Sequence, residues 1–246
     1  MKNRATQFSP QAYARAGGAL YLIIIGAGLF AEAFVRGRLI VSADAAATAT
    51  NINMHELMFR IGIAADLSTF LCAVVLAVIL YVLLVPVSRH LALLMLIFNL
   101  VQDAIGGLNA LNTYKALQLL GGADYLKVFN PEQLQAMALL SLKGHSVGFG
   151  LALIFFGLSC LILGYLIFKS GFLPRALGVL IAIAGACYLL NSFALVLSPP
   201  LASALFPTIL LPAFVGELSL ALWLAVRGVD LPKWENMAST AQIGRA

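Results

Sequence analysis

A chain of 246 residues that is 62% apolar and only 10% charged, with a mean hydropathy of +0.98, is not an ordinary water-soluble domain, in which about a quarter of the residues carry charge. The formal charge of +5 comes from cations scattered between apolar runs, which is the pattern of membrane orientation; no nucleic-acid partner is expected. Cys72, Cys160 and Cys187 lie singly inside apolar segments with no C-x-x-C spacing, which excludes a disulfide framework and a cysteine zinc site and leaves them as small packing residues.

In chain order, six apolar spans are expected: Ala16–Val35, Phe59–Val85, Leu91–Leu111, Leu134–Phe168, Leu177–Ser198 and Ile209–Val226. They imply an all-α, polytopic transmembrane helical bundle, read as one integral-membrane domain over 1–246, with connections too short for a soluble domain. Ala31-Glu32-Ala33 imitates a signal cleavage site, but an acid between the small residues is unusual there, so this run is read as part of the first span. Pro86, the Gly121-Gly122-Ala123-Asp124 stretch and Pro199-Pro200 separate spans. The longest run, Gln133 to Phe168, holds one lysine, one histidine and no acid. Asn130, Pro131 and Gln133 supply a capping start, and Lys169, Gly171 and Pro174 supply a stop. The openings Arg15-Ala16-x-Gly18-x-Leu20 and Arg175-Ala176-x-Gly178-x-Leu180 are alike, but a basic anchor before a glycine-bearing helix is a common beginning and does not establish a repeat.

Cations set the orientation. With the N-terminus cytoplasmic, the inner segments carry Lys2, Arg4, Arg15, Arg89, Lys169, Arg175, Arg227, Lys233 and Arg245, and the outer ones Arg36, Arg38, Arg60, Lys115, Lys127 and Lys143. The excess places both termini inside, in the inner (plasma) membrane.

Polar residues inside the spans must face a partner, a cavity or water. Asn99, Gln102, Asp103, Gly106 and Asn109 share roughly 120° of helical arc, one polar stripe on an apolar helix. Glu32 with Arg36, and Glu56 with Arg60, have the i, i+4 spacing of an ion pair, and Asp66 follows on the face of the second pair. Lys143 lies about 160° round the helix from His145, so the two serve different surroundings. Asn191 sits beside Gly185, Tyr188 and Ser192. Glu217 falls near mid-span, where a carboxylate is either paired or able to exchange a proton.

No soluble-enzyme motif is present: His55-Glu56 lacks the second histidine of a zinc helix, and Gly148-Phe149-Gly150 follows no strand. His55, His145, Asp66 and Asp103, with Glu56 and Glu217, are chemically able to bind metal, but their spacing dictates no geometry. The sequence leaves the identity of any cofactor open.

The runs ARAGGALYLIIIGAGLFAEAFVRGRLIV, HELMFRIGIAADL, GADYLKVF, GHSVGFGLALIFFGLSCLILGYLIFKSGFLPRALGVL and YLLNSFA resemble the bacterial integral-membrane family catalogued as domain of unknown function 4386. The resemblance covers most of Arg15 to Val226 and implies a membrane protein on the scale of six helices, with no reaction and no catalytic residues attached. Glu32, Arg36, Glu56, Arg60, Asp66, His145, Phe172, Pro174 and Arg175 stand within these runs; turn geometry and membrane orientation explain the last three.

The expected function is binding of a small-molecule or lipid-like ligand, with the bilayer as the constant partner, in a polar pocket open to the extracytoplasmic side. Glu32, Arg36, Glu56 and Arg60 would shape its mouth, Asp66, Gln102, Asp103, Asn109, His145 and Asn191 would line it, and Glu217 would form its floor. Two alternatives stand beside it: a membrane enzyme on lipid or isoprenoid substrates using His145 with a carboxylate or metal, and an accessory subunit whose polar groups only join helices.

Overall fold

Breakers and caps cut the apolar chain where the sequence places them. The computed structural model describes residues 9–243, all helix and connections with no strand among them. The helices are α1 (Pro10–Leu39), α2 (Ala45–Met54), α3 (Glu56–Leu84), α4 (Arg89–Leu120), α5 (Pro131–Ser170), α6 (Arg175–Leu197), α7 (Pro199–Leu205), α8 (Leu210–Val226) and α9 (Leu231–Ile243). Lys2, Arg4 and Arg245, counted above among the inner cations, lie outside the described residues.

Five helices are long and apolar enough to cross a membrane, and six if α7 and α8, bent by 53° at Pro207, count as one broken span. The 17 residues of α8 alone fall short of the roughly 20 that a bilayer core takes. Large apolar side chains such as Leu71 (72% exposed), Leu108 (68%) and Val226 (68%) face outward in numbers a water-soluble surface does not carry, and lipid is their natural solvent. The chain is a multi-pass, all-α membrane protein.

Two elements run well beyond the expected bounds, and a third was not among the expected spans. The first span continues to Leu39 through a π-helical turn, Phe30–Arg36. The third reaches Leu120, because nothing after Leu111 interrupts it until Gly121 and Gly122, the latter at φ +70°. Between the first two spans lies α2, whose N-cap Asp44 accepts from Ala47 N at 2.8 Å; Asn51 then donates to Leu39 O at 3.2 Å, closing the end of α1. The start of α5 is a reciprocal capping box: Gln133 N donates to Asn130 Oδ1 at 2.8 Å and Asn130 N to Gln133 Oε1 at 3.0 Å. Gly171, at φ +69°, ends it.

The chain forms two compact units. Among the described residues, the first comprises 9–22, 72–102 and 153–243. Close backbone approach organises it: Gly18 of α1 lies against the backbone of Ala221 and Ala225 in α8, and Gly157 and Gly164 of α5 face Gly185 and Gly178 of α6, the small-residue contact by which helices associate without a hydrophobic drive. The two similar openings thus meet different partners, Gly18 facing α8 and Gly178 facing α5. At one end, Gln11 donates to Arg227 O at 2.7 Å and accepts from Val229 N at 3.0 Å, Trp234 Nε1 donates to Leu83 O at 2.9 Å, and Asp230 N donates to Phe172 O at 3.1 Å.

The second unit comprises residues 23–71 and 103–152. Its core gathers Val35, Leu39, Ile52, Phe59, Ala116, Leu117, Leu126 and Leu142. Most of the sequence-expected polar residues belong to it.

Candidate functional site

Gly62 decides what Arg36 can reach. A Cβ at Gly62 would press on Val35 Cγ1 at 2.8 Å, so its absence lets α3 approach α1 at that level. One turn further along α3 comes Asp66, and next to Val35 comes Arg36. The guanidinium takes Asp66 with Nη1 to Oδ2 at 2.5 Å and Nη2 to Oδ1 at 3.2 Å, while its Nε donates to Glu32 Oε2 at 2.7 Å. The side chains of Arg36 and Asp66 are 13% and 11% exposed, whereas that of Glu32 is 67% exposed. The π-helical turn carries both Glu32 and Arg36, and such turns occur frequently at functional sites.

A second contact joins α4 and α5. Asn109 Nδ2 donates to His145 O at 2.8 Å and lies 3.2 Å from His145 Nδ1, and Asn112 donates to Asn109 Oδ1 at 3.0 Å. Gly148, one turn beyond His145, makes room: a Cβ there would overlap Asn109 Oδ1. His145 and Asn109 are buried. Segments of four helices, α1, α3, α4 and α5, thus place an ion pair, an amide and a histidine in the interior of the second unit. Asp103, also in this unit, is 5% exposed, and neither of its carboxylate oxygens has a hydrogen-bond partner.

Glu56 and Arg60 form their pair at 2.6 Å, but both side chains are about half exposed, at 53% and 51%; His55, between α2 and α3, is exposed. Lys143 is exposed while His145 is buried, as their angular separation implies. In the first unit, Gln102 is buried and Asn191 half-buried. There Glu217 of α8 is 9% exposed and accepts from the Tyr188 hydroxyl of α6, and the buried phenol of Tyr21 of α1 stands near it. The ring of Phe156 packs 5.3 Å from that of Tyr188.

His145 bonds to Asn109 and not to Asp66, Asp103 or Glu56, so the acid–base pair expected of a membrane enzyme is not assembled among the described residues. Nor do three of the histidine, cysteine, aspartate or glutamate side chains among them come together as metal ligands. Sequence reasoning passed over Tyr21, Asn112 and the reach of Arg36 to Asp66. The available signal for Tyr21 was a phenol inside an apolar helix, whose hydroxyl needs a partner when buried.

A protein of Archaeoglobus fulgidus described as uncharacterized is 32% identical over 160 residues, which is 64% of this chain and 78% of that relative. No solved structure matches. The family described as Domain of unknown function (DUF4386) matches residues 16–228, and the chain belongs to it.

Proposed function

We propose that the protein binds a small or lipid-like ligand in the second unit, at the polar region that Arg36, Asp66, Asn109 and His145 line. The observation that carries this reading is the convergence of a buried ion pair, an amide and an imidazole from four apolar helices. Polar side chains at such positions are costly in lipid, and modest interhelical hydrogen bonds are a small return for them. The expected test result is a molecule that co-purifies with protein extracted from its own membranes, detected by mass spectrometry of the released material, and is lost in His145→Ala while the variant stays folded. If His145→Ala and Asp66→Asn only lower thermal stability and nothing co-purifies, the cluster merely joins helices and the protein is an accessory subunit.

The setting proposed for this site is the inner membrane with both termini cytoplasmic and the ligand entering from the opposite side. Six crossings put the termini on one side. Within the first unit, Arg227 and Lys233 flank the hydrogen bonds that tie Gln11, Leu83 and Phe172 together, and Lys169 and Arg175 flank Phe172. That cluster of cations at one end fits the positive-inside rule. A reporter active only in the cytoplasm, fused to the C-terminus, is expected to be active; activity only from an extracytoplasmic reporter reverses the orientation.

A further inference from the structure

We propose that Asp103 is the seat of a singly charged cationic group, an alkali ion or a protonated amine, which is the chemical class of ligand for the second unit; this deepens the binding reading above and rests on it. Asp103 is 95% buried in a span, counted as the complement of its 5% exposure, and both carboxylate oxygens lack any donor among the described residues. A buried carboxylate without a donor is among the least stable arrangements a protein interior can hold, and less so still away from water.

The unit has no spare cation for it. Arg36 spends Nε on Glu32 and both terminal nitrogens on Asp66. Arg60 pairs with Glu56 at the surface, and Lys127 with Asp124; Arg38 is exposed over the ring of Phe34, and Lys115 and Lys143 are exposed. Asp66, the unit's other buried acid, is neutralised by Arg36. One uncommitted buried carboxylate remains, and it calls for one positive charge. A divalent ion would bring twice the charge that one carboxylate offsets, and a transition metal needs nitrogen or sulfur ligands; no three metal-ligating side chains converge among the described residues. One turn along α4, Phe70 packs its ring against Gly106. That places an apolar wall of a kind that suits the alkyl part of an amine near the carboxylate.

The test uses the full chain in lipid nanodiscs at constant pH 7.5, reading the thermal midpoint. Sodium chloride is compared at equal ionic strength with tetraethylammonium chloride, which is neither an alkali ion nor a protonated amine, and n-octylamine with n-octanol. The expected result is a saturable rise, on the order of 5 °C at a hundredfold excess over Kd, with sodium or with octylamine but not with its control. A response to sodium identifies an inorganic ion, and a response to octylamine alone an amine. Asp103→Asn abolishes the rise and Asp103→Glu retains one; radioactive sodium retained by the wild type and displaced by octylamine supplies a readout that needs no variant. An equal rise in Asp103→Asn overturns the proposal. So does the absence of any response in the wild type together with no retained sodium, which marks Asp103 as a neutral acid. Inert cations beside a neutral co-purifying molecule overturn only the cation seat; an Asp103-dependent cation response with nothing co-purifying supports the seat and overturns the broader pocket.

Discussion

Arg36 and Asp66, thirty positions apart in the chain, form a forked contact between α1 and α3 at 2.5 and 3.2 Å. Both side chains are nearly nine-tenths enclosed, so solvent does little to screen them. Removing one partner of such a pair leaves the other charge buried and costs about 3–5 kcal/mol. Asp66→Asn is therefore expected to lower the thermal midpoint strongly. Glu32→Gln removes a carboxylate that is 67% exposed, and its cost is under about 1 kcal/mol. Replacing both members of the buried pair by apolar residues, Arg36→Met with Asp66→Leu, recovers most of the loss. Thermal unfolding of the four proteins in the same nanodisc measures this; equal losses for Glu32→Gln and Asp66→Asn would show that the pair is screened.

The glycines of α5 offer a matched comparison. A Cβ at Gly144 meets nothing nearer than Asn112 Oδ1 at 3.7 Å, whereas at Gly148 it would overlap Asn109 Oδ1. Gly144→Ala gains up to about 1 kcal/mol by restricting the unfolded chain. Gly148→Ala forces Asn109 aside and loses about 1–3 kcal/mol. Because Asn109 holds the ring of His145, imidazole nitrogen signals in NMR spectra are expected to shift in Gly148→Ala and to stay in place in Gly144→Ala. Unchanged signals in both would mean that Asn109 does not hold the imidazole.

These contacts mark how far the sequence was legible. The capping box of Asn130 and Gln133, the stop at Gly171, and the pairs Glu32/Arg36 and Glu56/Arg60 were readable because each is a relation within one turn of one helix, where backbone geometry alone sets the distance. The burial of Gln102, Asp103 and Asn109 was readable for the same reason: their shared arc on an apolar helix has only one favourable orientation. The link from Arg36 to Asp66 was not, since it depends on Gly62 admitting α1 to α3, and a glycine's role in close packing is invisible until its neighbour is known. Likewise Glu217 showed itself as a charge in a span, but its partners Tyr188 and Tyr21 come from helices whose rotation only packing decides. The sixth span, read as Ile209–Val226, is the single helix α8, but the short α7 that precedes it at a 53° bend was not foreseen, because apolar composition records depth in lipid and not continuity of the helix axis.

At the start of α9 the consequence is one of pH. Lys233 hydrogen-bonds Asp230 at 2.8 Å and holds its carboxyl below the usual carboxylate range. A depressed folded value means that the native form favours the ionised acid, so the contribution is present above the ordinary carboxylate range and lost as pH falls through the lower folded value. Asp230 N-caps α9, with Lys233 N donating to Oδ1 at 3.4 Å, so acidification weakens the cap as well as the ion pair. Hydrogen exchange at residues 231–234 is expected to speed up on acidification beyond its intrinsic pH dependence in the wild type, and to lose that extra component in Asp230→Asn. The same extra component in both proteins would assign the acid sensitivity elsewhere.

Glu217 differs from Asp103 in having its donors. Tyr188 hydrogen-bonds its carboxylate inside the first unit, Tyr21 offers a second phenol near it, and a carboxylate with phenol donors has the partners that make burial tolerable. Tyr188→Phe deletes one donor without changing the ring that packs on Phe156, so the expected loss is about 1–3 kcal/mol, visible as a lower thermal midpoint. Tyr21→Phe with Tyr188→Phe leaves the carboxylate bare, and the two losses are expected to sum to more than their separate values because each single variant retains one donor. Replacing Glu217 by Gln in that double variant removes the stranded charge and is expected to restore part of the stability. A double variant no less stable than Tyr188→Phe would show that Tyr21 contributes packing and not a hydrogen bond, and a triple variant that restores nothing would show that Glu217 was never held as an anion.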